Sequence, residues 1–122
     1  MHMQLIGETD MKNKQHWESK TKYKLKHLKQ TGIKYVLWTL SVNQLEYVKH
    51  LYPVEPGLYR IQTKIFSKAI CDMYPILKCL KAEKQYRKKS YIYRALNKKE
   101  KKILDEFHVK YYVAKHKIVL NQ

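Results

Sequence analysis

Glycine and proline are scarce, with three of each in 122 residues. That excludes collagen-like, proline-rich and Gly/Ser-linker chains. Gly7, Gly32 and Gly57 are too dispersed to cradle a phosphate group in a glycine-rich loop. Cysteine is scarcer still. Cys71 and Cys79 lie eight apart on a basic, partly apolar stretch, a spacing of neither a disulfide framework nor a zinc pair, and they read as small packing residues in a reducing compartment. The ten acidic residues are scattered, Asp105-Glu106 being the only adjacent pair, so the carboxylate cluster of a metal-dependent nuclease is missing. No Cys-Xxx-Xxx-Cys, His-Glu-Xxx-Xxx-His or nucleophile-elbow pattern occurs. No run approaches the roughly 18 to 20 apolar residues that span a bilayer, and Met1 to Asp10 has no signal-peptide apolar core. The expectation is a soluble, cytoplasmic chain without cofactor, metal or membrane partner.

What the chain has in excess is positive charge. Lys and Arg number 26 against 10 acids, for +16, while an apolar fraction of 44% keeps the chain foldable. This length accommodates one modest core and argues for one domain. The excess is localised. Residues 11–34 hold eight Lys against Glu18, and residues 78–102 hold eleven basic groups against Glu83 and Glu100. The stretches between and after them are nearly neutral and carry most of the β-branched and aromatic residues, as a core requires.

Laid against itself at an offset of 56, the chain repeats. Tyr35 to Ser41 falls on Tyr91 to Asn97, and Gln44, Tyr47, Val48 and Leu51 fall on Glu100, Ile103, Leu104 and Phe107. Each copy reads as a β-rich run, a capping residue (Ser41 or Asn97) with Gln or Glu three positions on, and apolar residues at helical spacing. The β-formers then resume, at Val54 to Ile65 and at Val109 to Leu120. The spacing predicts two strand-helix-strand repeats, over 33–65 and 89–120, produced by internal duplication.

Two segments lie outside the repeat. Residues 14–31 carry a thin stripe, Trp17, Thr21, Leu25 and Leu28, with Gly32 as a stop, which predicts a surface helix or an arm that becomes helical on binding. Ser67 to Tyr74 and Pro75 to Lys89 also read as helical, with Pro75 opening a new turn or kinking the chain. The expected architecture is a basic arm or helix over 1–32 and one α+β domain over 33–122, a small mainly antiparallel sheet with helices on one face. The alternative is a winged-helix arrangement in which Val109 to Leu120 forms the wing hairpin.

The strongest chemical signal is the second basic block, comprising Lys78, Lys81, Lys84, Arg87, Lys88, Lys89, Arg94, Lys98, Lys99, Lys101 and Lys102. Where the first copy has Trp38, Val42, Asn43 and Leu45, the second has Arg94, Lys98, Lys99 and Lys101. Lys98 and Lys99 fall just after the Asn97 cap, where cations cost about 0.3 to 1 kcal/mol each unless an anion docks on the free N–H groups. Phosphate is the natural candidate, and Lys20, Lys22, Lys24, Lys26 and Lys29 form a second such surface. Lys outnumbers Arg 23 to 3, so the contacts expected are to phosphates and not to base edges. Neutralising roughly 6 to 10 phosphates makes affinity fall by about 10³ to 10⁵ between low and moderately raised salt. The plain competitor is a solvated lysine-rich face from an AT-rich genome.

Tyr86, Tyr91 and Tyr93 interleave with the basic groups, and strand alternation puts Tyr91 and Tyr93 on one face, Ile92 and Arg94 on the other. Exposed, such rings could stack on unpaired bases. Comparison with Tyr35 instead favours a core position with hydroxyls at the rim. His50 and His108 end their helices, where a histidine is electrostatically favoured.

The reading expected from these features is a small nucleic-acid-binding protein, for DNA or RNA, of low sequence specificity, suited to a regulatory or accessory role in a phage or mobile element. A second reading is an inhibitor or adaptor that docks on an acidic protein surface, anchored by Trp38, Tyr47, Leu51 and Tyr52. The first reading assigns those four residues to the core or to a homodimer seam. A third is a small metal-independent nuclease or toxin using His, Lys and Tyr. No catalytic residue is assigned.

Overall fold

The computed structural model describes residues 2–121, with side chains described from His16 onward. The chain is α+β, with helices α1 (His2–Gln30), α2 (Val42–Leu51), α3 (Lys68–Met73), α4 (Pro75–Gln85) and α5 (Lys98–Glu106). Four strands, β1 (Tyr35–Trp38), β2 (Val54–Gln62), β3 (Tyr91–Arg94) and β4 (Tyr111–Val119), form one antiparallel sheet in the order β1-β4-β2-β3. The two predicted strand-helix-strand segments are thus present. The Val109 to Leu120 region contributes one continuous strand, so the wing hairpin does not form. Among the described residues no helix is long and apolar enough to cross a membrane.

The repeat is visible residue by residue. β1 and β3 start at positions 35 and 91, and α2 and α5 at 42 and 98, each pair 56 apart. Both helices open on a complete capping box. The Ser41 hydroxyl accepts from the Gln44 N–H at 3.2 Å while the Gln44 side chain accepts from the Ser41 N–H at 3.1 Å. Asn97 and Glu100 make the same exchange at 2.8 and 3.2 Å. Each box satisfies two backbone donors that a helix start otherwise leaves to water. Ser41→Ala or Asn97→Ala is expected to lower unfolding stability by about 0.5 to 2 kcal/mol, and the Gly variants by only a few tenths. A urea titration in which both Ala variants match the parent would show that water replaces the caps.

After the helices the copies slip by one residue, since β2 starts at 54 and β4 at 111. The extra residue is taken up at His108, which sits in the left-handed region at φ 56° while the Val109 N–H closes onto the Leu104 carbonyl at 2.8 Å. Burial follows the slip. Ile61 and Thr63 in the first copy correspond to Ile118 and Leu120 in the second, 57 apart, and all four are buried.

Two compact units divide the described chain, one running from α1 to Glu55 together with the segment from Lys117, the other comprising Pro56–His116. In the first unit Leu25, Val48, Ile118 and Leu120 are buried, with Leu28, Val36, Trp38, Leu40, Tyr47, Leu51, Tyr52 and Val54 around them. The predicted stripe is the face that α1 buries. Thr21 and Leu25 are inside, Leu28 packs on the core, and the Trp17 ring meets Tyr47 edge-on at 5.5 Å. α1 starts at His2, well before the stripe, runs to Gln30 and is closed at Gly32 (φ 87°), where the N–H groups of Gly32 and Ile33 bond to the carbonyls of Lys29 and Leu28. That is the glycine-terminated closure expected of a helix end. The Tyr47 hydroxyl donates to the Glu18 carbonyl at 3.0 Å, and burial first, the Glu18 charge second, raises its pKa above the ordinary tyrosine value.

The second unit has the larger core, built on buried Tyr59, Ile61, Ile76, Leu77, Leu80, Leu104 and Val109. α4 opens with Pro75 in its first turn, where a missing N–H costs nothing, and turns Ile76, Leu77 and Leu80 inward. β2 and β3 pair with Tyr59 opposite Arg94, Arg60 opposite Tyr93, Ile61 opposite Ile92 and Gln62 opposite Tyr91. Burial and then the Asp105 carboxylate push the Tyr111 phenol up, so it stays protonated beyond the ordinary tyrosine range.

Candidate nucleic-acid interface

Within the second unit, sixteen Lys and Arg face five Asp and Glu. The structure divides these cations into paired and unpaired ones. At the end of α4 the Glu83 carboxylate reaches Arg87 at 3.3 Å and Lys89 at 3.8 Å. Lys88 adopts φ 57° in the turn that follows, and the Thr63 N–H bonds to the Ser90 carbonyl at 3.0 Å, which ties the entry of β3 to the end of β2. The second pairing lies at α5. Glu100 accepts from Asn97 through one oxygen and from the Arg94 guanidinium at 3.0 Å through the other.

Comparison of the copies explains that pair. The inward position held by Trp38 in the first copy carries Arg94 in the second, and the neutral cap partner Gln44 becomes Glu100. A guanidinium turned toward a core needs a counter-charge, and the capping carboxylate supplies it without leaving the box. Arg94 is therefore structural and not a free phosphate contact. Lys101 is similarly engaged, its ammonium 4.8 Å from the centroid of the buried Tyr59 ring. The capping box occupies the N–H groups of Asn97 and Glu100, which narrows the expected free backbone donors at the start of α5 to those of Lys98 and Lys99. The ammonium groups carry the positive charge there. Lys98, Lys99 and Lys102 are exposed, as are Lys78 and Lys84 on the outer side of α4, and none of the five is in an ion pair among the described residues. Lys81 is half-buried and Lys88 exposed.

The tyrosines depart from expectation. Tyr91 and Tyr93 share a face as alternation requires, but that face is open: Tyr93 is 60% exposed and Tyr91 39%. Tyr86 and Tyr35 are exposed too, so the core placement inferred from Tyr35 fails in both copies. The physical reason is register. Ile61 and Ile92 pair on the inner face of the β2–β3 ribbon, which turns the alternate residues Arg60, Gln62, Tyr91 and Tyr93 outward. The Arg60 guanidinium carbon lies 3.8 Å from the Tyr91 ring centroid, a stacked cation-π contact. Arg60 belongs to the neutral stretch of the sequence and is missed by charge-block reasoning; its signal is a lone cation alternating with Tyr59 and Ile61. β3 is an edge strand, and beside it runs an open groove of about 690 Å³ lined by Cys79, Glu83, Lys89, Tyr91, Ile92, Tyr93 and Arg94.

In the first unit, Lys20, Lys22 and Lys26 are exposed on α1, while Lys24 and Lys29 lie over Trp38 at 4.5 Å and Tyr52 at 5.6 Å. The residues considered as a partner anchor, Trp38, Tyr47, Leu51 and Tyr52, all pack half-buried on the first core. Among the described residues no group of three or more His, Cys, Asp or Glu is placed to hold a metal ion. No protein-family model matches this chain, and neither the curated proteins nor the solved structures contain a match to it.

Proposed function

We propose that this protein binds nucleic acid with low sequence specificity, through phosphate contacts made by the second unit. The observation that carries the reading is the group of exposed lysines without a carboxylate partner among the described residues, five of them on α4 and α5 (Lys78, Lys84, Lys98, Lys99 and Lys102), in a unit whose cations outnumber its acids by sixteen to five. Lysine is a hydrated point charge that positions a phosphate backbone and reads little of the base sequence. An accessory or regulatory role on nucleic acid suits such a surface.

The pairing of Arg87, Lys89 and Arg94 with carboxylates reduces the number of phosphates that the block should neutralise. With about five contacts, the log-log salt slope is about −3.5 on a single strand and about −4.5 on a duplex, so affinity falls roughly a hundredfold to five-hundredfold between 50 and 200 mM salt. A binding titration over that range on homopolymers checks this. Absence of binding at low salt, or a slope near zero, overturns the reading.

A further inference from the structure

Resting on that reading and deepening it, we infer that the strand bound by the second unit is unpaired, and that Tyr91 and Tyr93 on the open face of the β2–β3 ribbon are the platform on which its bases stack. Single exposed hydrophobic side chains are ordinary on protein surfaces. Here two aromatic rings stand at i and i+2 on one edge strand, with Arg60 from the neighbouring strand stacked on one of them and the Tyr93 face open. A strand rises about 3.3 Å per residue, so the two rings are about 6.6 Å apart along β3. Stacked bases in a duplex follow at about 3.4 Å and show their edges, not their faces, to a protein. Bases seated on successive rings are therefore separated by twice the duplex step, which a splayed single strand can achieve and a duplex cannot. Open sheet faces with aromatic rings suit this role because every base has a π-face.

Charge identifies the occupant. Arg60 places a cation on the ring face, the exposed Lys88 precedes β3, and the exposed Lys98 and Lys99 follow it. An uncharged apolar partner would gain nothing from this ring of cations, whereas a phosphate backbone running beside stacked bases meets one at either end of the strand.

The experiment measures binding of the full chain to a short single-stranded oligonucleotide and to the duplex of the same sequence, at one salt concentration. Tyr91→Ala and Tyr93→Ala are compared with Tyr91→Phe and Tyr93→Phe. The expected result is a preference for the single strand, lost about 5- to 100-fold on each Ala substitution, retained by the Phe variants and absent from duplex binding. The Phe variants keep the ring and separate lost stacking from lost folding, and the strand preference of the unsubstituted protein stands without any variant. Equal affinity for both forms, unaffected by the Ala changes, overturns the stacking inference while leaving phosphate binding intact. Failure to bind either form overturns the parent reading. Equal binding of an acidic polypeptide such as polyglutamate, with the same loss on Tyr→Ala, assigns the face to an acidic protein and overturns both.

Discussion

Lys98→Glu, Lys99→Glu and Lys102→Glu, combined in one chain, are expected to weaken polyanion binding by about a hundredfold or more at 0.1 M salt. Each phosphate contact on a single strand releases about 0.7 of a counterion, which at that salt is worth about fivefold, so three lost contacts multiply to about a hundredfold before any repulsion is added. Folding should survive the change. The three side chains are exposed and unpaired, and the first two sit in the opening turn of α5, where a carboxylate is favoured by about as much as a lysine is disfavoured, 0.3 to 1 kcal/mol. A variant that melts no earlier than the parent yet fails to bind locates the phosphate contact at α5. The matched control reverses Lys20, Lys22 and Lys26 on α1, giving the same change in net charge in the other unit. Equal losses from both triples would mean that net charge and not the α5 surface governs binding. No loss from the α5 triple would sink the assignment.

Leu104→Ala is expected to cost about 2 to 5 kcal/mol of unfolding stability. Leu104 is the one buried residue of α5 and is fully enclosed by the second core, so truncation removes its transfer free energy and leaves a cavity that a short helix, capped at its start and closed by the His108 turn, is poorly placed to fill. Against the 5 to 15 kcal/mol typical of a domain, a loss of that size shifts the urea midpoint by about one to three molar for a slope near 1.5 kcal/mol per molar. A loss below about 1 kcal/mol would mean that the helix relaxes into the cavity and that its packing is looser than described. The repeat partner, Val48, is also buried; its truncation removes less side chain and should cost less.

The local devices were legible in the residues because their causes are local. Ser41 with Gln44 and Asn97 with Glu100 announce capping boxes, Trp17 to Leu28 announces the buried stripe of α1, and Gly32 its end. The face shared by Tyr91 and Tyr93 follows from a period of two. That this face is the outer one does not, because it is fixed by the pairing of Ile61 with Ile92 across 31 positions of chain. Arg60 escaped for the same reason. The acids offered a clue of a different kind. Glu83 and Glu100 are the only carboxylates in the basic block, and their positions relative to Arg87 and Asn97 mark which cations are neutralised at home. The slip at His108 had no signal, since a left-handed turn is ordinarily the work of glycine or asparagine.

The strand order also has a bearing on how the chain acquires its structure during synthesis. Pro56–His116 is one continuous stretch that holds all of its own core, so it can fold as soon as it has left the ribosome. The α1 and α2 half, although made first, needs Ile118 and Leu120 for its core and the Leu120 N–H to bond the Lys34 carbonyl at 2.8 Å. It must wait, with Val48, Leu25 and their neighbours uncovered, until a segment more than sixty residues downstream arrives and the long loop closes. The half translated first is thus completed last, and a chain truncated before Lys117 should retain the second core while leaving the first exposed.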